Sequence, residues 1–200
     1  SKGDRGARPL SVGEIELSWQ EGLREVLMAR YGVSKEEVAA ASEAEEEAWR
    51  CDDPEGWLAA NGFFPGAAEA LRRCDAEGRC QLLLLSRRPP RQARQLLEHA
   101  EVPGLRLLET EEWEGSTKAD ALAALRRAQP EAELRFVDDS ARTLLTCASD
   151  PRLLPVALHF ASYGYSSASE AARIGAVQRM RTVTRSRDLA SVFSCAQEED

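Results

Sequence analysis

The sequence predicts an α/β fold, a parallel sheet with helices on both faces, preceded by a small helical unit. Three observations carry this expectation. After Gly62, short apolar runs of strand length alternate with amphipathic helical stretches. One of those runs, Cys80 to Leu85 (CQLLLL), suits a strand covered on both faces. Before Gly62 the apolar residues recur at helical spacing and no strand pattern occurs.

Taken in order, Glu14 to Tyr31 reads as an amphipathic helix. Ile15, Leu17, Trp19, Leu23, Val26 and Leu27 fill its apolar positions, and Gly32 ends it. Ser34 opens a second helix, because SKEE is a capping box with Ser34 at the N-cap and Glu37 three residues on. That helix runs along an acidic face to about Cys51, where CDDPEGW breaks the pattern. Trp19, Trp49 and Trp57 read as core residues of this unit, which spans residues 14–61.

The α/β part spans residues 62–181. Ala67 to Ala76 is helical and Gly78 stops it. The strand Cys80 to Leu85 follows, then Pro89 and Pro90 open a helix reaching about Ala100. Leu105 to Leu108 is a short strand and Thr117 to Ala128 a helix. Leu134 to Val137 is a strand, Ser140 begins another helix, and Leu153 to Phe160 holds a further strand ending near Leu158. Residues 182–200 carry a last short helix, RSRDLASVFSC, and an acidic tail.

Composition narrows the function classes. Across 200 residues the formal net charge is −8 and the pI about 5.0. A general nucleic-acid or membrane-surface binder needs a strong positive field, so neither is expected. A small anionic ligand remains compatible, because a local pocket can oppose the global sign. No apolar run approaches the roughly 18 residues of a membrane span. The cysteines, Cys51, Cys74, Cys80, Cys147 and Cys195, lack the spacing of a zinc site or redox pair. Reduced thiols in a cytoplasmic protein are the simplest reading, with an organellar home if a targeting segment has been lost. The first ten residues have no signal-peptide core.

In a parallel α/β sheet, ligands bind beyond the carboxyl ends of the strands. Three such places carry suitable groups. Ser86 follows CQLLLL, Asp138 and Asp139 follow LRFV, and GSTKADAL places Lys118 at a helix start. A phosphoryl site needs hydroxyl donors, a balancing cation and carboxylates for magnesium, and these residues supply all three. Each also has a plainer reading. Ser86 is a loop hydroxyl, Lys118 a surface lysine behind the Thr117 cap, and Asp139 or Ser140 an N-cap.

In this order, the residues resemble the core of the haloacid dehalogenase superfamily, of phosphatase type. The likeness runs from Gly62 to about Gly164. It implies a Rossmann-like parallel sheet with the helical unit as a small cap inserted after the first strand. Ser86 falls on the second motif, which hydrogen-bonds the phosphoryl group. Lys118 falls on the third, which neutralises nucleophile and phosphate. Asp138 and Asp139 in FVDDS fall on the fourth, which holds magnesium, with Asp139 the stronger ligand. GFFPGAAEALRRCDAEG resembles the return from the cap, and SYGY the loop after the last core strand. Arg87 and its neighbour Arg88 read either as contacts to a second anionic group of a small phosphorylated substrate or as a solvated pair.

The chain departs from the family in its first motif, Asp-x-Asp at the end of the first strand. SKGDRGARPL stands where it belongs, with one aspartate, Asp4, and no strand ahead of it. The expectation is a truncated or mis-spliced product, inactive for want of its nucleophile. The family's sheet places that strand centrally, so its lack leaves a slot of unpaired backbone groups. Either another segment fills the slot or the chain folds poorly alone. The functions implied are a magnesium-dependent phosphatase in the intact parent, a non-catalytic ligand- or protein-binding descendant and, least favoured, an interaction module built on Glu45-Glu46-Glu47 and the arginines from Arg173 to Arg187.

Overall fold

The computed structural model describes residues 14, 15, 18–78, 80–102, 104–108 and 117–193. Asp4 and residues 194–200 of the expected tail lie outside them. The chain divides into two compact units, Ser1–Trp57 and Leu58–Asp200.

The first unit is helical. The continuous helix expected from Glu14 to Tyr31 is broken at Gly22, whose φ of 108° is open to glycine and strained for other residues. A π-turn over Trp19–Leu23 leads into α1 (Arg24–Tyr31), and Gly32 closes α1 in the left-handed conformation. Ser34 and Glu37 form the full capping box of α2 (Lys35–Asp52), with Ser34 Oγ 3.1 Å from the Glu37 nitrogen. The break expected at CDDPEGW is a single residue. Asp53 ends α2, and its Oδ1 accepts the Gly56 N–H at 2.9 Å, so it starts α3 (Pro54–Asn61) with proline in the first helical position. Of the three tryptophans expected in the core, Trp57 is buried, while Trp19 and Trp49 remain about two-fifths exposed. A unit this small has too little interior to cover them.

The second unit is mixed α/β. Its elements are α4 (Ala67–Glu77), β1 (Leu82–Leu85), α5 (Pro90–His99), β2 (Leu105–Leu108), α6 (Lys118–Ala128), β3 (Arg135–Asp138), α7 (Ala141–Ser149), β4 (Ala157–Ala161), α8 (Ala168–Gly175), β5 (Met180–Val183) and α9 (Leu189–Phe193). Every ladder among the described residues is parallel. They form two sheets, β1–β2 and β3–β4–β5, where the sequence suggested one. Leu82 pairs with Leu105 in the first, and Asp138 with Phe160 in the second.

The strand expected within 153–160 begins later. Asp150 caps a 3₁₀ turn over Pro151–Leu153, so Leu153 is fully buried without being extended. α8 and β5 were not expected. Arg179, just before β5, fixes that region by donating to the carbonyls of Cys147, Ala148, Leu153 and Val156, the open end of α7 and the turn after it. α9 packs on α4, burying Leu189 and Val192.

Both faces of the second sheet are covered. Phe136 joins a core cluster with Leu122, Leu144 and Phe160, while its neighbour Val137 packs against the cluster of Ala67, Ala70 and Leu189. Successive strand residues point to opposite faces, so helices lie on each. His159, on β4, is buried, and burial followed by the charges of Arg181 and Arg135 lowers its pKa below 6.5. The folded protein therefore holds the neutral imidazole, and the unfolded chain takes up the proton first. Stability is full above pH 6.5 and is expected to fall as pH drops below it. Unfolding free energies measured from pH 8 downward should show that slope, and His159→Gln should flatten it.

Candidate functional site

The four residues that the strand-end pattern singled out, Ser86, Lys118, Asp138 and Asp139, line one cavity of about 770 Å³ in the second unit. Each is held by the local structure that its neighbours dictate. Ser86 follows β1, and its Oγ accepts the Arg88 N–H at 3.1 Å, a serine turn that leaves the hydroxyl proton to donate. Arg87, named with Arg88 for a second anionic group, is exposed and is not among the lining residues; Arg88 is. The Arg88 guanidinium donates to Asn61 Oδ1 at 3.1 Å and to Gln92 Oε1 at 3.5 Å, which sets it on the cavity wall.

Lys118 is the first residue of α6. Thr117 caps that helix through the Asp120 N–H at 3.1 Å and also donates to Asp120 Oδ2 at 2.6 Å. These bonds, then the Arg152 guanidinium, hold the Asp120 carboxyl below its ordinary pKa. The cap fixes the first turn and so the start of the lysine stem. Lys118 Nζ lies 2.7 Å from Asp138 Oδ2, whose side chain is 3 % exposed. Asp138 Oδ1 accepts the Ser140 N–H at 2.8 Å, and Ser140 in turn caps α7 through Thr143. Ser140 is therefore the cap, and the aspartates stand at the strand end beside it.

Asp139 is held differently. Its Oδ2 accepts the Tyr165 N–H at 3.0 Å, and no donor among the described residues reaches its Oδ1. Near it stands an aromatic group from the GFFPG and SYGY segments, to which no site role was given. Phe64 packs on Tyr163 and Tyr165 with ring centroids 5.5 Å apart in each pair. Burial, then the Asp139 charge, pushes the Tyr163 phenol up to about 12. The Cys147 thiol, buried and near Asp138, is pushed up to about 11, so it is no nucleophile at neutral pH.

No family model, curated protein or solved structure matches this chain. The site is therefore read from its own atoms. Among the described residues no group of three or more His, Cys, Asp or Glu side chains could hold a metal ion. Magnesium does not require one, since it commonly takes one or two carboxylates and completes its shell with water and substrate phosphate. Asp139, with an oxygen to spare, fits that demand. Asp138 fits it less well, because both its oxygens are engaged.

Gly164 is the spacer that permits this arrangement. A Cβ there would sit 2.5 Å from Asp139 Oδ2 and closer still to Asp139 Cβ. Gly164→Ala is expected to push the Asp139 carboxylate out of place while leaving the sheet intact. Titration with magnesium and inorganic phosphate, followed by a melting curve, should show weaker ligand stabilisation of a variant that melts within a few degrees of the parent.

Proposed function

We propose that this chain carries a haloacid-dehalogenase-like phosphoryl site for a small phosphorylated metabolite, with magnesium as its ion. The observation that carries the reading is the convergence of Ser86, Lys118, Asp138 and Asp139 on one cavity, with Lys118 2.7 Å from Asp138. The Ser86 hydroxyl donates to a phosphoryl oxygen, and the Lys118 ammonium balances phosphate charge. Arg88, rather than Arg87, stands where a second anionic group would be met. Asp139 supplies the principal magnesium ligand, with Asp138 behind it. Magnesium held there would screen the phosphate charge and fix its orientation. Hydrolysis in this reading passes through an aspartyl-phosphate, and no aspartate among the described residues stands in the nucleophile's place.

The test is thermal unfolding with magnesium plus beryllofluoride or vanadate as phosphoryl mimic. At a hundredfold excess over Kd a ligand specific for the folded state adds about 2.7 kcal/mol, a shift of several degrees. Asp139→Asn and Lys118→Ala should each abolish it. No shift across both mimics and a panel of phosphorylated metabolites would remove the reading.

A second reading, a phosphate-binding protein without catalysis, is favoured by one observation. The only other acid lining the cavity among the described residues is Glu133, at the opposite end of β3 and paired with Arg135 at 2.7 Å. No described carboxylate stands opposite Lys118 as a nucleophile. Binding of the mimics without turnover of any phosphate ester would favour this version.

A further inference from the structure

One polar side chain on the cavity wall has no part in the reading above. Tyr163 lines the cavity together with Asp139 and Lys118. Its ring is held firmly. It meets the Phe64 ring edge-on, at 77° with centroids 5.5 Å apart, and packs against the cluster of Ala67, Ala70 and Leu189. Its hydroxyl is not held in this way, and no group among the described residues donates to it or accepts from it. Among the described residues no side-chain nitrogen or oxygen is sealed from water without a partner, so this hydroxyl is open to the space that the residue borders. A half-buried tyrosine hydroxyl ordinarily finds a partner, and here the cavity is where one would stand.

The loop that carries Tyr163 is built to keep its place. β4 ends at Ala161, and the Ser162 N–H donates to the Val183 carbonyl at 3.0 Å, which ties the loop to β5. The Gly164 N–H donates to the Ala161 carbonyl at 3.1 Å, and the Ser166 N–H to the Gly164 carbonyl at 2.9 Å. The Tyr165 N–H then reaches Asp139. Gly164, the next residue after Tyr163, stands too close to Asp139 to carry a side chain. The phenol and the Asp139 carboxylate therefore meet the cavity from the ends of paired strands, β4 and β3. Ser86 meets it from β1, in the other sheet. Burial keeps the phenol in its protonated form, so it is a donor without charge. Phosphate oxygens accept several hydrogen bonds, more than one serine and one lysine supply.

We propose that Tyr163 is a further binding residue of the phosphoryl site, its hydroxyl donating to an oxygen of the phosphate held with magnesium at Asp139. The inference rests on the phosphoryl reading of the cavity and adds to it the donor on the β4 side. Ser86 then meets the anion from the β1 end and Tyr163 from the β4 end. Because the ring is already fixed by Phe64 and the loop by its own bonds, little side-chain freedom is lost when the anion arrives. If Tyr163 served packing alone, phenylalanine would do equally well in its place.

The test is therefore Tyr163→Phe, which keeps the ring against Phe64 and removes only the hydroxyl. Calorimetric titration gives two affinities, one for magnesium alone and one for inorganic phosphate or vanadate at saturating magnesium. The variant is expected to melt within a few degrees of the parent and to bind magnesium within a factor of about two of it. Its affinity for both anions should fall roughly tenfold or more, the usual loss for a hydrogen bond to a charged group. Unchanged anion affinity would overturn the proposal, since the hydroxyl would then meet only solvent. An equal fall for magnesium and for the anions would overturn it too, because Tyr163 would then merely shape the loop around Asp139. Either result leaves the phosphoryl reading standing, whereas a parent that binds neither anion removes that reading and this inference with it. Should the variant fail to fold, the parent labelled at tyrosine Cζ decides. Phosphate added to the magnesium form should move one of its three tyrosine resonances, and that resonance should persist in Tyr31→Phe and in Tyr165→Phe. A Tyr163 resonance that stays in place would overturn the proposal.

Discussion

Replacing Lys118 with methionine is expected to lower the stability of the second unit by about 2–4 kcal/mol at neutral pH. The reason lies in Asp138 more than in the lysine. The Asp138 side chain is 3 % exposed, and its two oxygens are met by the Lys118 ammonium and the Ser140 N–H. Without the ammonium, a buried carboxylate keeps one backbone bond and no countercharge, and its removal from water is no longer offset. The lysine is itself 23 % exposed, so the full value for breaking a buried pair is not expected. Lys118→Met with Asp138→Asn should recover much of the stability, since neither charge is then stranded. Denaturant unfolding of the parent, both single variants and the double variant measures the coupling. A single-variant loss below about 0.5 kcal/mol would place the pair among solvated surface bridges, and the lysine would not be part of a closed site.

The same residues show what the sequence could and could not convey. Caps were legible because they depend on a few adjacent side chains. Ser34 with Glu37, Thr117 with Asp120, and Ser140 with Thr143 all form as their spacing implies. The strand-end polar residues were legible because a parallel sheet with short loops leaves little freedom in where they emerge. Asp138 and Asp139 differ in role, however, only because Ser140 reaches back to one and Tyr165 crosses to the other from 26 residues away. That second contact is tertiary, and SYGY hinted at it only as a loop. Arg87 and Arg88 could not be told apart by position. The difference is made by Asn61 and Gln92, which hold Arg88.

The elements that escaped notice were short and mixed in character. β5 is four residues with Arg181 and Thr182 exposed, so no apolar run announces it. The start of α8 did leave a signal, the Ser167–Glu170 capping box, at the same spacing as the one that opens α2. Leu153 misled in the other direction. Its burial is complete, yet Asp150 and Pro151 wind it into a turn, and hydrophobicity alone does not distinguish the two. Gly22 broke a helix whose apolar spacing continues on both sides of it, because periodicity records faces and not backbone angles.

Phe160→Ala is expected to cost about 3–5 kcal/mol, and Leu82→Ala nearer 2 kcal/mol, although both residues are buried. Phe160 has no exposed surface and sits on β4, which has β3 on one edge and β5 on the other. Removing its ring leaves a void that flanking strands and the α7 layer cannot collapse into without breaking two ladders. Leu82 lies on β1, which among the described residues has one partner strand and already borders the cavity. Deleting its methyl groups enlarges an existing space, so the term for creating a new void is largely absent. A two-stranded pair is also marginal by itself, and β1–β2 depends on helix packing through Leu71, Cys74 and Val102. It should therefore open below the global unfolding energy, with faster amide exchange than β3–β5. Equal losses for the two variants, with equal protection of the two sheets, would mean that β1 is as firmly held as β4. The unequal outcome is what the described sheets require, since Phe160 reports on a strand with a partner on each edge and Leu82 on one with a single described partner.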